Sequence, residues 1–170
     1  MREIAQMPVY LVDAHSDPVL IRIEGRVSFQ NCACLRDFVT HMRLNGKSRF
    51  LIDFLRCASM DSTFLGVLAG LALDLRRASP RGSLVLARVG PRNLELIRNL
   101  GLHRLLTVDA GNGSADSEAC NAALDCPERN ELDSARLVLE AHENLVTANE
   151  ANRSKFQDVL EFMKNRVDQG

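Results

Sequence analysis

Two apolar segments on either side of a long apolar helix constrain the fold more than any other feature of the chain. Residues 50–55 and 83–89 are mostly apolar without regular alternation, which is typical of strands covered on both faces. Residues 62–78, between them, predict a helix that is apolar nearly all round until Asp74, with Gly66 and Gly70 allowing close packing on a sheet. A strand, a helix and a strand in this order predict a parallel crossover in an α/β sheet layered by helices.

The remainder of residues 1–109 adds elements on both sides of this crossover. Turn-rich residues between two short β-rich segments predict a hairpin, and apolar residues at helical spacing predict two further helices. The hairpin strands are residues 9–12 and 19–24, and a last strand is predicted at 105–108. One helix covers residues 32–44, and the other starts at residues 90–93 and ends before Gly101. The resulting order, β-β-α-β-α-β-α-β, predicts a mixed β-sheet layered with α-helices.

The chain changes character after Asp109. Residues 110–130 are rich in Gly, Asn, Ser, Asp and Ala without usable periodicity, which predicts a flexible linker between a domain at 1–109 and an extension at 131–170. Two amphipathic helices, 132–146 and 154–167, make up this extension, and a Ser154-x-x-Gln157 capping box opens the second. The apolar stripe of the second helix consists of Phe156, Val159, Leu160, Met163 and Val167. This stripe is buried either within the chain, on the domain or on the neighbouring helix, or in a seam with a second copy or a partner, and the sequence leaves both open.

Composition excludes several classes of function. The 170 residues carry a formal net charge of -1, so no basic field is available to hold nucleic acid. No apolar run is long enough to span a membrane, and the first six residues lack the apolar core of a signal peptide. We therefore expect a cytoplasmic protein without membrane insertion. The five cysteines form no disulfide framework and are expected to be reduced, and the four dispersed histidines predict no metal or cofactor site.

A helix start that carries two hydroxyls is the candidate functional site. Asp61 or Ser62 is a natural N-cap for the helix that follows, and neither the helix nor its cap requires Thr63. A hydroxyl in the first turn beside a carboxylate is well placed for phosphorylation, because the N-terminal amides and the helix dipole favour an added phosphate. Plain capping is the alternative interpretation, and for an isolated Asp-Ser-Thr it is the better one.

Residues 9–108 resemble the STAS domain family, in its anti-sigma factor antagonist type, on several motifs. Leu51-Ile52-Asp53 ends a strand before the segment Met60 to Gly66, where the family has aspartate, two small hydroxyl residues, glycine, leucine and glycine. The segments Val85 to Ala87 and Gly101 to Leu106 resemble the strand, helix and strand that close the family's domain. The resemblance implies a STAS-like mixed β-sheet layered with α-helices, followed here by a C-terminal helical extension.

In that family, the second hydroxyl residue of the motif accepts phosphate from a kinase that is also the anti-sigma factor. Carried over, the resemblance implies Thr63 as the phosphoacceptor, Ser62 as the alternative, and Asp61 as the flanking acid. It also implies that the motif, with Phe64 and Leu65, contacts the partner while Thr63 is unmodified. The implied partners are an anti-sigma factor of the GHKL serine/threonine kinase type, a PP2C-type phosphatase and a second copy in a homodimer. The chain itself is then not an enzyme, since the kinase supplies ATP and Mg²⁺.

Two departures from the family pattern lie close to this motif. Phe64 replaces the usual glycine after the acceptor, and Ser28 replaces an aspartate that typically lies near the acceptor. A second class of function fits the same resemblance, because standalone STAS proteins also serve as constitutive subunits of lipid-transport ABC systems or as scaffolds of sensory complexes. In that case Thr63 is only a contact residue.

Overall fold

A computed structural model describes residues 8–109 and 117–170 and gives a mixed α/β fold. The strands are β1 Tyr10–Asp13, β2 Val19–Ile23, β3 Gly25–Val27, β4 Arg49–Asp53, β5 Cys57–Met60, β6 Ser83–Ala87, β7 Thr107–Asp109 and β8 Ala122–Ala123. The α-helices are α1 Cys32–Leu44, α2 Ser62–Arg77, α3 Pro91–Asn99, α4 Glu131–Ala148, α5 Asn152–Lys155 and α6 Gln157–Gln169. Short 3-10 helices lie at Leu102–Arg104 and Ser117–Ala119.

Six strands form the main sheet in the order β7-β6-β4-β2-β1-β8. β1 and β2 pair antiparallel, as the predicted hairpin requires, whereas β2, β4, β6 and β7 run parallel to one another. Each parallel connection runs through a helix, because the chain must return to the same end of the sheet. The predicted fold class, a mixed β-sheet layered with α-helices, is therefore confirmed.

A second, two-stranded sheet is absent from the sequence prediction. β3 and β5 pair in parallel, with Val27 opposite Met60. These strands contain three and four residues, too few for their alternation to be recognised in a sequence. Their role is positional, since β5 leads directly into Asp61 and thereby fixes where α2 begins.

Helix α2 is covered by α4, which packs along its length. A Cβ atom at Gly66 would lie 2.1 Å from the carbonyl oxygen of Ala141, and a Cβ at Gly70 would lie 2.4 Å from the Nδ2 of Asn144. The prediction that these two glycines allow close packing on the sheet is therefore wrong. They allow close packing on the C-terminal extension instead.

The described part of the predicted linker, residues 117–130, is attached to the domain. β8 extends the main sheet by pairing with β1, with Ala122 opposite Val12. A disulfide joins Cys126 to Cys34 of α1, so the expectation of reduced cysteines is wrong for this pair. Residues 110–116 of the predicted linker lie outside the described residues. Between residues 117 and 130, the structure shows a segment held on the sheet edge and on α1 rather than a flexible connection.

The C-terminal extension contains three helices instead of the two predicted. A break at Phe156 divides the predicted helix 154–167 into α5 and α6. The predicted capping box is wrong, because the Ser154 hydroxyl donates to the Ala151 carbonyl and no side chain caps α6. α6 packs on α4, where Leu160 is buried and the other members of the apolar stripe are half-buried. Of the two locations left open for this stripe, the structure shows the chain's own fold.

Candidate functional site

Asp61 joins the starts of two helices. Its Oδ1 caps α2 by accepting a hydrogen bond of 2.8 Å from the Phe64 N–H. Its Oδ2 accepts a hydrogen bond of 3.0 Å from the N–H of Phe29, in the loop that leads into α1. Both carboxylate oxygens therefore accept backbone N–H groups, which fixes the position of Asp61 relative to α1 and α2.

The two hydroxyl residues that follow Asp61 differ in their surroundings. Ser62 is half-buried, and its Oγ lies 2.9 Å from the Nε2 of His142 on α4. Thr63 is only 5% exposed. Thr63 is therefore less accessible than Ser62 in this conformation.

Two of the predicted contact residues lie in the core. Phe64 is 0% exposed and Leu65 is 1% exposed, and the Phe64 ring meets the Phe54 ring edge-on at a centroid distance of 6.3 Å. An aromatic pair of this kind stabilises a fold by ~0.5–1.5 kcal/mol beyond its buried area. Neither side chain presents surface to a partner in this conformation, and the contact of Phe64 and Leu65 with a partner stays a prediction. Phe29, which is 45% exposed and bonded to Asp61, supplies apolar surface here instead.

Ser28, where the family has an aspartate, belongs to the turn that begins α1. Its N–H donates to the Oδ1 of Asn31 at 2.9 Å, and its Oγ accepts from the N–H of Gln30 at 3.2 Å. These local hydrogen bonds close the turn and direct the Phe29 N–H toward Asp61. Position 28 therefore organises the loop without adding a second negative charge beside the motif.

His142 is a site residue that the sequence did not reveal. It is 2% exposed, and its Nδ1 lies 2.7 Å from the carbonyl oxygen of Val138. Because a carbonyl oxygen only accepts, Nδ1 carries a ring proton, and in the tautomer with its single proton there Nε2 accepts the Ser62 hydroxyl. Ser62 and His142 are 80 residues apart. The signal in the sequence was the place of this histidine on the apolar stripe of α4, one turn after Val138.

Asp53, from the first motif of the resemblance, has a structural role. It is 1% exposed at the end of β4, and its carboxylate pairs with both Nε and Nη2 of Arg88 and also accepts the Leu55 N–H at 3.0 Å. Hydrogen bonding to this carboxylate raises the pKa of the Arg88 guanidinium above its ordinary value. The pair joins the carboxyl ends of β4 and β6, and β4 leads from this edge into β5 and α2.

The thiols nearest the motif are not activated nucleophiles. Burial raises the pKa of Cys32 to about 12 and the pKa of Cys57 to about 11, so both thiols are protonated at neutral pH. Within residues 8–109 and 117–170, no group of three or more His, Cys, Asp or Glu side chains could hold a metal ion. Over the same residues, no helix has both the length and the apolar character needed to cross a membrane.

Comparison with known families identifies the class of this chain. A family model described as "Mlab, STAS domain" matches residues 10–107, more than half of the sequence. The chain therefore belongs to the STAS domain family. A comparison with curated protein sequences finds no match.

Two solved structures are similar to this chain. The anti-sigma factor antagonist SpoIIAA in its unphosphorylated form is 18% identical, with 65% of this chain and 93% of that chain covered and a TM-score of 0.51. The Bacillus cell fate determinant SpoIIAA in the phosphorylated form is 19% identical, with 65% and 95% covered and a TM-score of 0.49. The first likeness supports the STAS fold, and identities this low carry no information about partners.

Proposed function

We propose that this chain is a phosphorylation-controlled binding protein of the anti-sigma factor antagonist type. In its unmodified form it binds an anti-sigma factor that is also a GHKL-type serine/threonine kinase, and phosphate on the motif weakens that binding. The observation that carries the proposal is the hydroxyl pair Ser62-Thr63 at the start of α2, beside the capping carboxylate of Asp61 and the exposed ring of Phe29.

The acceptor is Thr63 by its place in the motif, with Ser62 as the alternative. A phosphate on either hydroxyl adds about -1.5 to -2 charges at neutral pH. Inside an interface this charge has to be desolvated, and it repels acidic groups of the partner. The affinity for the partner therefore falls when the motif is phosphorylated.

The chemistry of the switch belongs to the partners. The acceptor oxygen forms a bond to the γ-phosphorus of ATP, ADP leaves with the bridging oxygen, and a base of the kinase takes the hydroxyl proton. Asp61 orients the first turn of α2 during this transfer, since its oxygens are engaged with the Phe64 and Phe29 N–H groups. A PP2C-type phosphatase resets the switch by hydrolysis of the phosphate ester, and all of these partners act in the cytoplasm.

The test is phosphopeptide mass spectrometry after incubation with the cognate kinase and ATP. The variants Thr63→Ala and Ser62→Ala show which of the two hydroxyls carries the phosphate. The matched control is Ser59→Ala, because Ser59 is an exposed residue of β5 three positions before Ser62. We expect phosphate on residues 62–63 in the parent chain and in the Ser59→Ala variant. Phosphate found only outside residues 62 and 63 contradicts the proposal.

A second candidate is favoured by the burial of Thr63. A residue that is 5% exposed suits a constitutive interface, in which its hydroxyl is never modified, as well as it suits a switch. In this case the chain is a permanent STAS subunit of a lipid-transport ABC system or a scaffold in a sensory complex. Affinity purification distinguishes the two, because an ABC-type ATPase supports the permanent subunit and a GHKL-type kinase supports the switch.

A further inference from the structure

The C-terminal extension contacts the hydroxyl pair Ser62-Thr63 through a hydrogen bond. This contact is the hydrogen bond between the Ser62 hydroxyl and Nε2 of His142, at 2.9 Å. On the far side of the ring, Nδ1 is held by the Val138 carbonyl at 2.7 Å, so the imidazole cannot turn without losing that bond. The tautomer with its proton on Nδ1 presents Nε2 to Ser62 as an acceptor.

The surroundings of this contact leave little room for a larger group at Ser62. One turn along α2, a Cβ on Gly66 would lie 2.1 Å from the Ala141 carbonyl oxygen, so the two helix backbones are already in van der Waals contact. The Asn144 amide donates to the Gly66 carbonyl at 3.4 Å on the same side. A phosphate on Ser62 would have to turn away from α4 or push α4 away.

Phosphorylation of Ser62 also removes the donor on which His142 depends. The ester oxygen of phosphoserine carries no proton, so Nε2 of this tautomer loses its donor, and His142 is only 2% exposed to water that could replace it. A buried acceptor without a donor is unfavourable, and the phosphate oxygens add only further acceptors opposite a nitrogen lone pair.

From these contacts we infer that His142 couples the modification state of Ser62 to the docking of helices α4–α6 on α2. Docked helices shield the Ser62 hydroxyl, and a phosphate on Ser62 favours their local opening. By linkage, the two effects are equal in size. The inference rests on the proposed function only for the enzyme that adds the phosphate, since the coupling itself is a property of this chain.

The coupling extends beyond α4 through buried contacts of the extension. The His142 ring packs edge-on against Phe156 at 4.9 Å, at the junction of α5 and α6. The amide of Asn152 donates to the carbonyls of Leu145 and Leu100, at 2.8 Å and 3.0 Å, and so ties α5 to the end of α3. A displacement of His142 therefore loosens α6 as well as α4.

The experiment uses the full chain with phosphoserine installed during translation, so that no kinase is needed. Hydrogen exchange followed by mass spectrometry then reports opening of α4, residues 131–148, and of α6. With phosphoserine at Ser62, the equilibrium constant for opening of both helices should rise roughly 5- to 150-fold, which is the effect expected when one buried hydrogen bond is lost. Peptides of the main sheet, such as residues 49–53, should keep their protection.

Phosphoserine at Ser59 is the matched control. It places the same charge three residues before Ser62, on an exposed residue of β5, and should leave α4 and α6 protected. A double-mutant cycle completes the test, with the variants Ser62→Ala, His142→Ala and the two combined. We expect Ser62→Ala to increase the opening of α4 in the parent chain and to have no further effect in the His142→Ala background.

Three results would overturn the inference. The first is that phosphoserine at Ser62 leaves the protection of α4 unchanged or increases it. An ion pair between an imidazolium and the phosphate would give such an increase. Equal opening with phosphoserine at Ser59 and at Ser62 is the second, and loss of protection throughout the main sheet is the third. If no kinase phosphorylates the chain while installed phosphoserine opens α4, the proposed function fails and the coupling stands.

Discussion

Replacing Gly66 by alanine tests whether α4 lies as close to α2 as the structure shows. The new Cβ would lie 2.1 Å from the Ala141 carbonyl oxygen, against a limit of 3.0 Å that Cβ contacts essentially never cross. The obstacle is backbone, so no side chain can rotate out of the way. α4 has to move by roughly an ångström along much of its contact with α2, and overpacking of this kind costs ~1–3 kcal/mol.

Gly70→Ala is the matched control for this change. It lies one turn further along the same helix, and its new Cβ would lie 2.4 Å from the Asn144 Nδ2, the far end of a flexible side chain. Both substitutions gain ~0.8–1.0 kcal/mol from the higher helix propensity of alanine. This gain cancels in the comparison. The difference between the two variants then sets the cost of displacing the α4 backbone against the cost of moving the Asn144 amide away from the Gly66 carbonyl.

The assay is urea unfolding of the two variants, with hydrogen exchange of α4 as a second readout. The free energy of unfolding of Gly66→Ala should lie ~1–3 kcal/mol below that of Gly70→Ala. Amides of α4 should exchange faster in Gly66→Ala only. Equal stability of the two variants within ~0.5 kcal/mol, with equal protection of α4, would refute the close contact between α2 and α4.

Three further predictions concern the cap and the cysteines. Asp61→Ala should lower the free energy of unfolding by ~0.5–2 kcal/mol in urea, and Asp61→Asn, which keeps an acceptor oxygen, should lower it less. The double variant Cys34→Ser/Cys126→Ser should have a free energy of unfolding ~2–4 kcal/mol lower than the parent chain under oxidising conditions, because the disulfide closes a separation of 92 residues. Dithiothreitol should lower the free energy of unfolding of the parent chain only. Iodoacetamide at pH 8 should leave Cys57 unmodified in the folded chain, because burial raises its pKa from 9.0 to about 11. The contribution of this thiol to stability should be constant below about pH 9 and fall from there to about pH 11, since the unfolded thiol ionises first.

The elements that the sequence predicted are those with a local cause. The apolar spacing of residues 32–44 predicts a helix, and α1 is found at Cys32–Leu44, because such spacing is a local signal. The start of α2 was placed correctly for the same reason, since the Asp61 side chain caps the Phe64 N–H within one turn. Periodicity and capping depend on residues within a few positions of one another, so they are readable without the fold.

The parts that could not be predicted depend on residues that are far apart in the chain. The sequence pattern of Phe64 and Leu65 is compatible with both a surface and a core position, and only the packing of α2 between other layers decides that both are buried. Cys34 and Cys126 carry no mark of their pairing, because their proximity follows from the path of the segment that contains β8.

The class of fold and the position of the hydroxyl pair follow from the sequence alone, because alternating strands and helices admit few topologies and a capped helix start is a local structure. The surface that those hydroxyls face depends on how distant segments pack together. Ser62 meets His142 because α4, encoded 80 residues later, packs on the glycine face of α2. That contact depends on the three-dimensional path of the chain, and no pattern within either segment contains it.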